Sequence, residues 1–123
     1  LQSMQGVSAY AASKGGDLSL MRQMSLDFAP DNIRVVSVNP GAIDTPMVRN
    51  AIAGTGGDLE DELISTGLAH PLGRIGQAED IAHMVLFLAS DKASFITGSY
   101  FNVDGGLMAM GAWASTVGAA GSE

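Results

Sequence analysis

Tyr10 and Lys14 stand four residues apart in the stretch "YAASK". At that spacing two side chains share one face of a helix. A phenol beside an ammonium is a candidate acid–base pair. A free tyrosine ionises near pH ~10, and bringing a phenol to about 7 takes roughly 4 kcal/mol of differential stabilisation. An ammonium about 4–5 Å away, at an effective dielectric near 20, supplies roughly 3–4 kcal/mol if bulk water is screened out. A phenol so tuned can exchange a proton with an alcohol or a ketone. On spacing alone, a partly buried tyrosine beside a solvated lysine is the commoner arrangement. Asp17, three residues after Lys14, is placed where it could compete for the same ammonium, but reads as a solvated aspartate first.

The pair needs a helix. Ser8 is placed to cap one, with its hydroxyl accepting from an unpaired N–H. The helix is predicted to run to about Ala29 and stop at Pro30. Leu18, Met21 and Phe28 fall on one stripe. Ala11, Ala12, Gly15 and Gly16 make its first half small-sided, which predicts a close-packed neighbour there. The N-terminal pole of the helix favours a phenolate as well.

"IRVVSVNPG" follows, and Ile33 to Val38 reads as a short strand buried on both faces and ended by Pro40 and Gly41. Residues 47–70 read as a mobile insert. Met47 to Ala53 forms a turn of helix, "GTGG" at 54–57 breaks it, and Asp58 caps a second helix stopped by Gly67. Gln77 to Ala89 is an amphipathic helix with Ile81, Val85 and Leu88 inward. Tyr100 to Val103 is a strand followed by a Gly105–Gly106 turn. Residues 107–123 are rich in Gly, Ala and Ser and are expected to fray. The order helix, strand, insert, helix, strand is half of a βαβ architecture. Two parallel strands alone would leave both edges open, so the pattern fits the back half of a larger α/β sheet.

Composition narrows the classes. The chain has 123 residues, 46% hydrophobic and 15% charged, which is a globular balance. A net charge of −7 with six scattered Lys and Arg argues against nucleic acid. There is no cysteine, so disulfides and thiolate zinc sites are excluded. No apolar run approaches a membrane span, and "LQSMQG" is not a signal peptide. The expectation is a cytoplasmic protein with no membrane or nucleic-acid partner. His70 and His83 lack a metal-site spacing; His83 reads as structural and His70 as part of the insert. Asp44 and Arg49 flank the insert and read as solvated, with substrate contact the less common alternative. Trp113 reads either as an anchor on a neighbouring subunit or as a loosely held side chain.

Several motifs occur in series: "SAYAASKGG", "DFAPDNIRVVSVNPG", "AIDTPM", "PLGRIGQAEDIA", "FITG" and "VDGG". In this order, over about positions 5 to 107, the chain resembles the C-terminal half of a short-chain dehydrogenase/reductase. The resemblance implies an α/β fold, the C-terminal half of a Rossmann-like doubly wound parallel sheet. It implies residues 1–107 as the C-terminal part of that domain, with 47–70 as its substrate lid and 108–123 as a flexible or subunit-contacting tail. It implies an oxidoreductase passing hydride between NAD or NADP and a secondary alcohol or ketone. Tyr10 matches the family's catalytic acid–base, and Lys14 the lysine that tunes it and hydrogen-bonds the nicotinamide ribose. Pro40 and Gly41 match the turn beside the nicotinamide, and Ile43 and Thr45 the positions contacting its carboxamide. Ligands beyond the carboxyl ends of parallel strands agree with this placement. A homo-oligomer, dimer or tetramer, is implied too.

The family's Gly-rich dinucleotide loop has no counterpart here; "GTGG" follows no strand and does not fit that role. Counting back from Tyr10 to the family's catalytic serine runs off the start of the chain. A fragment of an enzyme is therefore expected, inactive alone. The alternative is a catalytically silent partial chain or assembly module.

Overall fold

A computed structural model of the chain describes residues 8–110. They divide into two units. Up to residue 110, residues 8–40 with 77–103 form the first, and residues 41–76 with 104–110 the second.

In the first unit, helix α1 spans Ser8–Asp27. Ser8 is already helical, so it is not a cap ahead of the helix. The last bond of the helix runs from the Phe28 N–H to the Met24 carbonyl at 3.0 Å. A 3-10 turn over Ala29–Asp31 carries Pro30, and Asn32 ends it at φ 57°. Asparagine tolerates this left-handed conformation better than most residues. Met21 and Ser25 are the buried positions of α1, while Phe28, beyond its end, is 38% exposed and leaves the expected stripe. The Ser25 hydroxyl donates to the Arg22 carbonyl at 2.7 Å. Gly98, at φ +67°, brings its backbone so close that a Cβ would lie 2.8 Å from Ser25 Oγ. Only glycine meets both demands there.

Strand β1 is Ser37–Pro40 and starts later than the β-branched run suggests. Ahead of it the Val35 N–H donates to Thr97 Oγ1 at 3.1 Å, and the Gly98 N–H to the Val35 carbonyl at 2.8 Å. A side chain takes the place of a ladder partner, so regular pairing begins only at Ser37. β1 is half-buried rather than buried on both faces.

In the second unit, Thr45 caps helix α2, Pro46–Ala53, and accepts from the Val48 N–H at 3.4 Å. Asp58 caps helix α3, Leu59–Leu68, as its sequence position requires; Oδ1 accepts from the Glu60 and Asp61 N–H groups at 3.0 and 3.1 Å. Leu63 and His70 are buried here. Gly67 does not stop α3. It lies within the helix, and a Cβ there would meet the Ile75 nitrogen at 2.7 Å. Gly67 is needed because another backbone segment crosses the helix at contact distance.

Back in the first unit, helix α4 spans Ala78–Ala89. Asp80 accepts from the Gln77 N–H at 2.8 Å, closing the helix start. Ile81 and Met84 are half-buried and Leu88 buried, but Val85 is half-exposed, so the inner stripe turns one position from the expected one. The Arg34 guanidinium donates to the Leu88 carbonyl at 2.8 Å, satisfying an orphan acceptor at the end of α4. Strand β2, Tyr100–Val103, pairs parallel with β1 in the register Ser37↔Tyr100 to Pro40↔Val103. Parallel pairing bears out the α/β reading.

The tail after Gly106 begins with a 3-10 turn over Leu107–Ala109. The expectation of fraying, and that for Trp113, otherwise fall outside the described residues. Among the described residues no helix is long and apolar enough to cross a membrane. No cluster of three or more metal-ligating side chains occurs among them either.

The glycines give a paired test by chemical denaturation. Gly67→Ala is expected to destabilise the protein by about 1–3 kcal/mol, because backbone, not a flexible side chain, blocks the methyl group. A Cβ at Gly16 meets nothing within 4 Å. Gly16→Ala is expected to stabilise by up to ~1 kcal/mol from helix propensity. A loss of stability there would reveal a neighbour packed on that face in solution.

Candidate active site

Tyr10, Lys14 and Pro40 belong to the first unit, and Gly41, Ile43 and Thr45 to the second. Within α1 the expected pairing is present. Lys14 Nζ lies over the Tyr10 ring, 5.6 Å from its centroid. Asp17 Oδ2 is 3.5 Å from Lys14 Nζ. The ammonium is thus shared between a ring and a carboxylate. Tyr10 is 64% exposed. Water around the pair screens both interactions, so the dielectric of about 20 that gives a strong effect requires a covering group. Gly15 and Gly16 find nothing within 4 Å, so the close-packed neighbour expected along the first half of α1 is not among the described residues.

Pro40 ends β1 and pairs with Val103 at the end of β2. In the second unit the loop after β1 is tied to Gly76 by two backbone bonds. The Gly76 N–H donates to the Ala42 carbonyl, and the Asp44 N–H to the Gly76 carbonyl, both at 2.9 Å. These two bonds make Ile43 and Gly76 a parallel bridge. In such a bridge the flanking residues hold the partner, and the bridged residue's own N–H and C=O point the opposite way. Ile43 therefore presents a donor and an acceptor side by side on the free edge of the loop. No hydrogen bond to either group occurs among the described residues.

The rest of the loop is anchored by side chains. Arg49 donates through Nε and Nη2 to both oxygens of Asp44, at 2.6 and 2.7 Å. This fork replaces the solvated roles expected for the two residues. The bond from Asp44, then its charge, raises the Arg49 guanidinium above its usual value. A raised base loses its contribution only as pH rises through the folded-state value. The arginine half of this pair therefore stays charged at any working pH. Glu60 lies 4.0 Å from Arg49 Nη1. With Leu63, Gly67 and Ile75 these residues line a cleft of ≈ 250 Å³.

His70 is the residue that sequence reasoning missed. It is 5% exposed. Its Nε2 takes the Ala42 N–H at 3.1 Å, and its Nδ1 lies 3.0 Å from the Thr66 carbonyl. An amide can only donate and a carbonyl only accept, so the ring is the neutral Nδ1–H tautomer. Pro71 was the available signal. It biases the preceding residue toward extended backbone, so His70 had to leave the helix. The partner in the distant loop was not readable from one sequence.

Comparison with known proteins shows the family. The family model described as enoyl-(acyl carrier protein) reductase matches residues 1–108, and the chain belongs to the short-chain dehydrogenase/reductase family. It is 41% identical over 105 residues to 2-(S)-hydroxypropyl-CoM dehydrogenase 3 of Xanthobacter autotrophicus, covering 85% of this chain and 40% of that protein. It is 40% identical over 104 residues to a 3-oxoacyl-(acyl-carrier-protein) reductase of Thermotoga maritima, covering 84% of this chain and 39% of that protein. The ligand-free structure of an aldohexose dehydrogenase from Thermoplasma acidophilum superposes with a TM-score of 0.82 at 40% identity, covering 89% of this chain and 44% of that one. The chain thus spans under half the length of these relatives. The solved relatives bear out the Rossmann-type fold.

The exposed Lys14–Asp17 pair gives a direct check. Asp17→Asn is expected to change unfolding free energy by less than about 1 kcal/mol, as for other exposed ion pairs. A larger loss would show that the carboxylate is a structural support rather than a competitor for the ammonium.

Proposed function

We propose that the complete protein carrying these residues is an NAD(P)-dependent oxidoreductase acting on a secondary alcohol or ketone. Family membership with Tyr10 and Lys14 on one face of α1 is the observation that carries this reading. Tyr10 moves the substrate proton, and Lys14 favours the phenolate and donates to the nicotinamide ribose. An ammonium has three N–H groups, so the contact with Asp17 leaves donors to spare. A carboxamide carries one donor group and one acceptor, and the C=O and N–H of Ile43, without a hydrogen-bond partner among the described residues, are its complement. Thr45 uses its oxygen to cap α2 and keeps its hydroxyl proton free to donate. Pro40 and Gly41 make the turn that leads into this loop. When bound, the nicotinamide gives or takes the hydride. The chain's own residues orient it and manage the proton.

Activity is proposed for the complete protein. This chain alone is expected to be inactive, and residues 47–70, with the cleft beneath α3, are read as its substrate lid. A dimer or tetramer is part of the same reading. Leu20 and Leu26 on α1 and Leu86 on α4 are exposed and available for burial in an assembly.

In the complete protein, Tyr10→Phe is expected to lower kcat at least about a hundredfold while NAD(P)H affinity stays within about threefold. Steady-state kinetics with a fluorescence titration of the cofactor reads both. Near-normal turnover would remove Tyr10 from the chemistry, and no cofactor binding in the unmodified protein would remove the oxidoreductase reading.

A further inference from the structure

We propose that His70 is a positioning residue for the cofactor loop, holding Ala42 so that the backbone groups of Ile43 stay aimed at the carboxamide. The inference rests on the functional reading above but concerns a side chain that reading does not use. The ring is clamped on two sides. A Cβ at Gly41 would lie 3.0 Å from His70 Nε2, and one at Gly105 would lie 3.3 Å from its Cβ. Both glycines thus allow the backbone to close on the imidazole. Both ring nitrogens are used, one toward the loop and one toward the last turn of α3. The ring therefore connects a helix end directly to the residue before Ile43.

The connection matters because of what else holds Ala42 and Ile43. The Ala42 carbonyl and the Asp44 N–H both bond to Gly76, and both lie on one side of the loop. A chain held from one side can still pivot about that line. The His70 bond to the Ala42 N–H adds a second direction of restraint. Without it the peptide between Gly41 and Ala42 has a half-buried donor with no acceptor, and it will turn to find one. That rotation changes the direction of the groups at Ile43. A histidine that merely filled the core would stabilise the fold without affecting the cofactor through one particular nitrogen.

Two substitutions separate these roles. His70→Gln keeps an acceptor at about the reach of Nε2. His70→Asn keeps a donor at about the reach of Nδ1 but cannot reach Ala42. Each is measured in the complete protein by thermal unfolding and by NADH and NADPH fluorescence titration. Both variants are expected to unfold at lower temperature. His70→Asn is expected to weaken cofactor binding roughly tenfold, as for loss of one buried hydrogen bond, while His70→Gln recovers most of it, within about threefold of the unmodified protein. Equal affinities in the two variants, whether both normal or both weakened, would overturn the proposal. If the Asn variant does not fold, the Gln variant decides: a folded His70→Gln that binds roughly tenfold more weakly refutes the acceptor role. Amide exchange at Ala42 in the unmodified protein is the independent arm. Protection is expected, and free exchange would refute the contact. Absence of cofactor binding in the unmodified protein would instead sink the oxidoreductase reading, leaving the exchange result to judge the His70 contact.

Discussion

The parallel pairing of β1 with β2 is the constraint on which the remaining geometry depends. Parallel strands end at the same edge of a sheet, so the segments after Pro40 and Val103 leave from neighbouring positions. Those segments, beginning at Gly41 and Asp104, are then in contact within the second unit; a Cβ on Gly41 would meet Asp104 Cα at 2.9 Å. Parallel sheets bind ligands beyond this edge because loops gather there while backbone groups remain unsatisfied. The bridge between Ile43 and Gly76 uses the same physics on a smaller scale. It satisfies the flanking residues and leaves the donor and acceptor of one peptide segment open.

The electrostatics of α1 point to what the described residues lack. A phenol and an ammonium on an exposed helix face, with a carboxylate on the same ammonium, interact weakly while water surrounds them. A strong effect requires exclusion of that water. A bound cofactor and substrate, together with other parts of a longer protein, are the groups that would exclude it under the proposed function. Tyr10 exposed at 64% and glycines open at 15 and 16 show that this half of α1 is uncovered among the described residues.

Much that depends on local chemistry was legible in the sequence, although Ser8 lies inside α1 rather than ahead of it. Asp58 as a cap, α4 after Gln77, β2 at Tyr100–Val103, and Tyr10 with Lys14 on one face all follow from short-range rules, and the structure places them so. Errors came where a distant partner decides. β1 starts at Ser37 because Thr97 competes for the N–H of Val35. Gly67 reads as a helix stop but serves a crossing backbone. Asp44 and Arg49 read as solvated because their fork closes only when the loop turns into α2. His70 was invisible for the same reason: its importance lies in the Ala42 amide, which periodicity cannot connect to it. The carboxamide role proposed for Ile43 came from family resemblance, and the backbone geometry is what supports the proposal.

The central claim is that the loop after β1 receives the cofactor through the backbone of Ile43. Amide shifts of the ¹⁵N-labelled complete protein, followed as NADH is added, test it most directly. The account predicts that the Ile43 amide is among the most strongly shifted resonances, with Gly54 to Gly57 little affected. Saturable binding that leaves Ile43 unmoved while the Gly54–Gly57 segment responds would contradict it.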